Sequence, residues 1–269
     1  MSALSILSVL GYSSLQDRGR PGLRHLGIPP GGALSPELLA RANAAVDNPT
    51  GALAIEHAAR LRLRAEGKVT LGDETGRTFE LEAGDVASFE PPRETRVGVV
   101  AVRGGFDAPL LFGGRGTMVG LPVDARASRL LVAGDVLAIG GAARVASPSV
   151  PPIDTGRAVT VVLGPDVAEV GDAAVAALLA TTFTASRRAD RVGVRLEGGP
   201  LPVTHRAEAP SRPMGVGAIQ VPPDGAPIVL GPDGPTTGGY PVVAVIASFD
   251  RGRFFAYPAD KPVTFRAGS

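Results

Sequence analysis

The chain has 269 residues, of which 44% are hydrophobic and 20% charged, with 27 basic and 26 acidic side chains. That is a globular composition, long enough for one large or two ordinary domains, and a net charge of +1 leaves no basic footprint for nucleic acid or an anionic membrane. The absence of cysteine excludes disulfides, thiolate nucleophiles and cysteine-ligated metals, and it fits a cytoplasmic protein. Only Lys68 and Lys261 are lysines, so arginine, whose planar fork suits carboxylates and phosphates, carries nearly all the positive charge.

The opening MSALSILSVLGYSS has no basic leader, and its apolar core is too short for a signal peptide. No apolar run approaches the ~20 residues of a membrane span. In chain order, strands are expected at ILSVL (5–9), LRLRA (61–65), KVTL (68–71), TFELE (78–82), VASF (86–89), VGVVAV (97–102) and VLAI (136–139). More follow at AVTVVL (158–163), VGVRL (192–196), AIQV (218–221), PIVL (227–230), VVAVIAS (242–248) and PVTF (262–265). Short strands separated by Gly/Pro turns predict an all-β fold of the barrel or sandwich kind. Two helices interrupt them. In LSPELLARANAAVDNP, Ser35 is the expected N-cap, Pro36 the first helical residue, and Asn48-Pro49 the stop. DAAVAALLATT is the second, with Asp172 as its expected cap. ASPSVPPIDTGR (146–157) lacks periodicity and marks a boundary between residues 1–150 and 155–269.

Several kinds of site find no motif. His25, His57 and His205 form no close ligand pair, so no metal site is expected. There is no G-x-S-x-G elbow. GPDGPTTGG lacks the Lys-Ser/Thr of a phosphate loop, so the chain has no ATP motif of its own.

Four clusters place polar residues among glycines and prolines. In LQDRGRPGLRHLGIPPGGAL, Gln16, Asp17, Arg18 and Arg20 precede a tight turn, with Arg24 and His25 behind it. AIEHAAR sets Glu56 between apolar neighbours, where a carboxylate must be paired or titrate abnormally. VAVRGGFDAPLLFGGRGTMVG carries Arg103, Asp107, Arg115 and Thr117 among six glycines. In QVPPDGAPIVLGPDGPTTGGYP (220–241), half the residues are Gly or Pro, yet the stretch runs into the apolar VVAVIASF. Its prolines fix φ and its glycines allow close approach, so it reads as a fixed, ligand-facing turn instead of a spacer.

These clusters, in this order, resemble the biotin-dependent carboxyltransferase family, which takes in allophanate hydrolase subunit 2, KipA-like proteins and the C subunit of the ATP-dependent 5-oxoprolinase. QDRGRPGLRHLGIPPGGAL, RANAAVDNP, AIEHA, AVRGGFDAPLLFGGRGT, RLLVAGDVL, DRVGVRLEG, GVGAIQVPPDGAPIVL and DGPTTGGYP carry the resemblance over nearly the whole chain. It implies two cyclophilin-like β-barrel halves. It also implies a cytoplasmic hetero-oligomer with a KipI-like partner and a LamB/YcsF-like partner, opening 5-oxoproline to L-glutamate with ATP handled by one of the partners. The same family also implies biotin-dependent carboxyl transfer, with biotin arriving on another chain, or a KipA-like antagonist of a KipI-like kinase inhibitor. For lactam opening, Asp17, Glu56 and Asp233 are the acid/base candidates, and Arg20, Arg103 and Arg115 the anion binders. Thr117, Gln220, Thr236, Thr237 and Tyr240 would orient substrate. The chain departs from the family pattern where Ser35 stands for an aspartate, where Gly114 and Gly116 stand for serines, and in VGVVAV, which lacks the aromatic usual before the AV-GG strand.

Overall fold

The computed structural model describes residues 2–119, 128–140, 142–146, 150–154, 156, 158–203 and 210–268; His205 lies outside them, as does part of the expected boundary segment. Strands hold 32% and helices 14% of the described residues, a mainly β fold. The chain forms two compact units: unit 1 is Met1–Arg20 with Gly31–Ile153, and unit 2 is Pro21–Pro30 with Asp154–Ser269.

Unit 1 contains strands β1 (Ala3–Leu10), β2 (Ser13–Gln16), β3 (Ala54–His57), β4 (Arg60–Ala65), β5 (Val69–Asp73), β6 (Thr78–Leu81), β7 (Val86–Phe89), β8 (Gly98–Val102) and β9 (Val136–Ala138), and helix α1 (Pro36–Ala45). They form a sheet of order β7-β4-β1-β9 and a second of order β2-β3-β8-β5-β6. The burial of each strand follows from what covers its faces. In β4, RLRLRA, the leucines and Ala65 are buried and every arginine is exposed, the alternation of a sheet with one wet face. β5 and β8 are buried at every residue. Their inward residues Leu71, Val100 and Val102 join Leu4, Ile6, Leu61 and Leu63 in one core, and α1 packs against both strands. Gly72 makes that packing possible: a Cβ there would lie 2.6 Å from Ala42 O and 2.9 Å from Val46 Cγ1.

α1 begins as expected. Ser35 Oγ accepts from Leu38 N at 3.4 Å and Pro36 takes the first turn. The helix stops at Ala45, before Asn48-Pro49. Asn48 instead donates from Nδ2 to Val102 O at 2.8 Å and accepts from Gly104 N at 2.9 Å. β2 and β3, which the alternation did not reveal, pair with each other in register Leu15↔Ile55.

Unit 2 contains strands β10 (Val159–Leu163), β11 (Thr184–Ala185), β12 (Gly193–Glu197), β13 (Arg212–Pro213), β14 (Ala218–Gln220), β15 (Ile228–Leu230), β16 (Thr237–Gly238), β17 (Val242–Ile246) and β18 (Phe265–Ala267). Its helices are α2 (Val167–Val170), α3 (Asp172–Ala180) and α4 (Ser248–Ala256). Seven strands form one sheet, β11-β12-β15-β14-β17-β10-β18, and β13 pairs with β16. Asp172 is the first residue of α3 and Gly171 its cap, so Asp172 meets the helix dipole and not an open N–H. The strand expected through Ser248 ends at Ile246, and α4 follows. Residues 262–265 are mostly not strand; Val263 makes a single bridge to Phe183 and the strand proper starts at Phe265.

α4 is held by burial and by one ion pair. Phe254 meets the rings of Phe255 and Phe265 at 5.2 and 6.2 Å, and Phe265 meets Phe183 at 6.0 Å. Asp250 is fully buried, accepts from Thr160 N at 2.8 Å and pairs with Arg253 Nε at 3.1 Å. Burial pushes its pKa up, but hydrogen bonds from Arg253 and Thr160 outweigh that and hold it at about 2.

Two outcomes are expected. Gly72→Ala should destabilise the protein by about 1–3 kcal/mol in urea unfolding, because helix backbone must move to admit the methyl. Asp250 titrates in the folded state below the ~3.9 of an unfolded aspartate. Its stabilisation is therefore complete above pH ~4 and lost as pH falls toward 2. Asp250→Asn should be less stable than wild type at pH 7, and the gap should close as pH falls through that window.

Candidate functional site

In unit 1 the chain leaves β2 at Gln16 and meets the glycine-rich segment that follows β8. That segment doubles back through a two-residue hairpin turn. Leu111 N and Gly114 N each bond the other residue's carbonyl, at 2.8 and 3.0 Å, and the turn residues Phe112 and Gly113 have φ of 51° and 86°. Two positive φ values are those of a type I′ turn, which glycine fits and phenylalanine occupies under strain.

Residues 15–20 and 111–117 are tied at several points. Asp17 accepts from Gly19 N through Oδ1 at 2.8 Å and from Arg115 N through Oδ2 at 2.6 Å. Arg20 donates from Nε to Leu111 O at 2.8 Å and from Nη2 to Gly116 O at 2.6 Å. Thr117 N donates to Leu15 O at 2.7 Å and Gln16 Nε2 to Thr117 O at 3.4 Å. Gly114 and Gly116 stand where these side chains pass. A Cβ at 114 would lie 2.9 Å from Arg20 Cγ, and one at 116 would lie 2.9 Å from Asp17 Oδ1.

Beside this junction lies a cavity of about 690 Å3, in the range of small-molecule sites. Asp17, Arg18, Asp107 and Arg115 supply its charged groups, and Leu53, Phe106 and Leu110 its main apolar wall. Arg115 Nη1 donates to Ala108 O and lies 3.9 Å from Asp107 Oδ1.

The structure thus brings Asp17 and Arg115 to one cavity, but not every expected residue of unit 1. Arg20 is 2% exposed, bonds the carbonyls of Leu111 and Gly116 through Nε and Nη2, and does not line the cavity, so its place is structural. Thr117 is buried behind the junction. Arg103 lies 3.7 Å from Asp47, a carboxylate that also takes Arg144 at 3.1 Å, and it does not line the cavity. Glu56 is buried, with Tyr12 Oη at 3.1 Å from one oxygen and Leu34 N at 2.7 Å from the other. Those donors answer the question its apolar setting raised and leave it outside the cavity lining. Next to it, burial pushes the His57 imidazole pKa down.

The remaining expected residues belong to unit 2. Asp233 is gripped by Arg191, Nε to Oδ2 at 2.7 Å and Nη2 to Oδ1 at 2.9 Å. The turn that follows is fixed from below. Met214 N donates to Thr236 O at 2.9 Å, Thr237 pairs with Pro213, and buried Gln220 donates from Nε2 to Tyr240 O at 3.3 Å. Arg24 Nη2 donates to Pro235 O at 3.0 Å, tying Pro21–Pro30 to this turn. Thr237 and Tyr240 stay exposed. Among the described residues no cluster of three or more His, Asp or Glu could hold a metal, and no helix is long and apolar enough to cross a membrane.

The mainly β architecture and this arrangement of turns are those of a carboxyltransferase-type domain. Residues 26–267 match the carboxyltransferase domain, subdomain A and B, and the chain belongs to that family. It is 31% identical to the 5-oxoprolinase C subunit of Escherichia coli (strain K12), over 97% of this chain and 90% of that protein. Identity to the 5-oxoprolinase C subunit of Haemophilus influenzae is 25%, over 99% of this chain and 91% of that protein. Among solved structures, TTHA0988 superposes with a TM-score of 0.84 at 27% identity, covering 99% of this chain but only 56% of that one. The urea amidolyase of K. lactis superposes with a TM-score of 0.88 at 22% identity, over 99% of this chain and 19% of that one, a likeness of fold.

The clamp on Asp233 gives a test. If the residue is structural, Asp233→Ala strands the Arg191 guanidinium, 8% exposed, at a cost on the order of 3 kcal/mol in urea unfolding. A variant of unchanged stability that loses function would instead return Asp233 to acid/base work.

Proposed function

We propose that this chain is the C subunit of a multi-component, ATP-dependent 5-oxoprolinase, opening the lactam of 5-oxoproline to L-glutamate with a KipI-like and a LamB/YcsF-like partner. The observation that carries this reading is the 31% identity to the E. coli protein along 97% of the chain, joined to a cavity lined by two aspartates and two arginines.

A lactam carbonyl is a poor electrophile, and its hydrolysis needs charge stabilisation at the oxygen and a group to move a proton. In the unit 1 cavity Arg115 is the donor for developing negative charge. Asp17 has both oxygens engaged by backbone N–H groups, which fixes its position. It holds the Arg115 backbone in place and offers its remaining lone pairs as a proton acceptor. The exposed Thr237 and Tyr240 are assigned to orienting substrate or partner. Among the described residues the glycine-rich segments that line the cavity do not open a helix that could cradle phosphates, which favours a nucleotide held by a partner.

The match to a carboxyltransferase domain favours one second reading, biotin-dependent carboxyl transfer. Mixtures of the purified chains separate the two. ATP-dependent glutamate release should need this chain together with both partners, and this chain alone should give none. In the active mixture, Arg115→Ala should lower turnover about 100-fold or more while assembly is kept, the cost of losing a donor to developing charge. Wild-type turnover in Arg115→Ala would remove the residue from the site, and carboxyl transfer from biotin without glutamate release would replace the reading.

A further inference from the structure

We propose that Arg18 is the carboxylate-binding residue of the unit 1 cavity, and that Gly51 is the position that lets it lie there. The choice of 5-oxoproline as its ligand rests on the function proposed above; the anion site itself does not.

Of the two arginines that line the cavity, Arg18 is the one with no carboxylate partner among the described residues. Arg20 is spent on Leu111 O and Gly116 O. Arg115 is shared between Ala108 O and Asp107. Among the described residues Arg18 makes one side-chain hydrogen bond, from Nη2 to Thr50 Oγ1 at 2.6 Å, and no carboxylate is within ion-pairing reach of it. Four of the five N–H donors of its guanidinium are therefore available in the cavity wall.

The side chain is also placed in advance. Its stem crosses Gly51 so closely that a Cβ there would lie 2.5 Å from both Arg18 Cγ and Cδ and would overlap Nε. With the stem laid on Gly51 backbone and one end tied to Thr50, less rotamer freedom is lost when an anion binds. Leu53, Phe106 and Leu110 form an apolar wall beside it that suits a compact hydrocarbon body. Asp17 and Asp107 repel a second negative charge. The ligand class is a small monocarboxylate with an apolar ring, and 5-oxoproline is a member.

The test uses the full chain and three probes: 5-oxoproline, cyclopentanecarboxylate, which keeps the carboxylate on a plain ring, and 2-pyrrolidinone, which keeps the lactam without the carboxylate. Affinities are measured by titration calorimetry or NMR for wild type, Arg18→Ala, Arg18→Lys and Gly51→Ala, with thermal melts to confirm folding. Gly51 has no positive φ, so alanine leaves the backbone unstrained and displaces only the Arg18 stem. Both carboxylates should bind wild type and weaken about tenfold or more in Arg18→Ala and Gly51→Ala, the size of a lost charge-assisted bond. Arg18→Lys should recover part of that, and 2-pyrrolidinone should not respond to any of the changes. Carboxylate affinity unchanged in Arg18→Ala, or no binding of either carboxylate by wild type, overturns the proposal. Binding of both carboxylates with the expected losses, but no glutamate release by the full assembly, leaves the anion site standing and removes the oxoprolinase reading instead.

Discussion

The candidate site depends on a clamp that one loop places on the backbone of another. From one side Asp17 offers a carboxylate to the backbone of Gly19 and Arg115; from the same side Arg20 offers its guanidinium to the carbonyls of Leu111 and Gly116. Glycine-rich segments lose much conformational entropy on ordering and bring few apolar contacts to offset it. Their backbone groups must also find partners once enclosed. One acid and one base, three residues apart, meet both demands, and charge-assisted bonds are strong enough to hold such loops still. The position of Arg115, and with it one wall of the cavity, follows from this clamp and not from local sequence.

Much of the fold was legible because burial writes itself into periodicity. LRLRA announced β4 through strict alternation, and VGVVAV announced a strand covered on both faces. The elements that escaped are those whose stability comes from elsewhere in the chain. SSLQ is polar yet becomes β2, because its pairing with β3 and its buried hydrogen bonds are supplied by residues some 40 positions away. SFDRGRFFA carries a glycine and directly follows an apolar strand, so no helix was expected there, and the strand was carried on to Ser248. Its helix is made by the burial of Phe254 and Phe255 and by the Asp250–Arg253 pair. In both cases tertiary contacts override local propensity.

The site was legible as a set of clusters but not as roles. Arg18 and Arg20 are two positions apart in one charged turn, and nothing local tells them apart. What separates them is what each meets: Thr50, 32 positions on, or the carbonyls of Leu111 and Gly116, 91 and 96 positions on. The same holds for the carboxylates. Glu56 stood out for its apolar neighbours, yet Tyr12 and Leu34 N satisfy it, and Asp233 looked free in its loop until Arg191 closed on it. Gly114 and Gly116, read as departures from a family pattern, are where Arg20 and Asp17 pass nearest the backbone.

The division of the chain has a consequence for its biosynthesis. Pro21–Pro30 belongs to unit 2, although everything else in that unit begins at Asp154. A ribosome releases the N-terminal sequence first, at ~5–20 residues per second, and domains generally fold as they emerge. Unit 1 can close around its core once Ile153 has left the exit tunnel. The ten residues 21–30, including the Arg24 that will bond Pro235, must by then be held out as an open excursion between Arg20 and Gly31. The clamp at Asp17 and Arg20 anchors the start of that excursion in the nascent chain. Unit 2 thus joins an early-made segment to late-made sequence, and residues 154–269 expressed alone would lack ten of its residues.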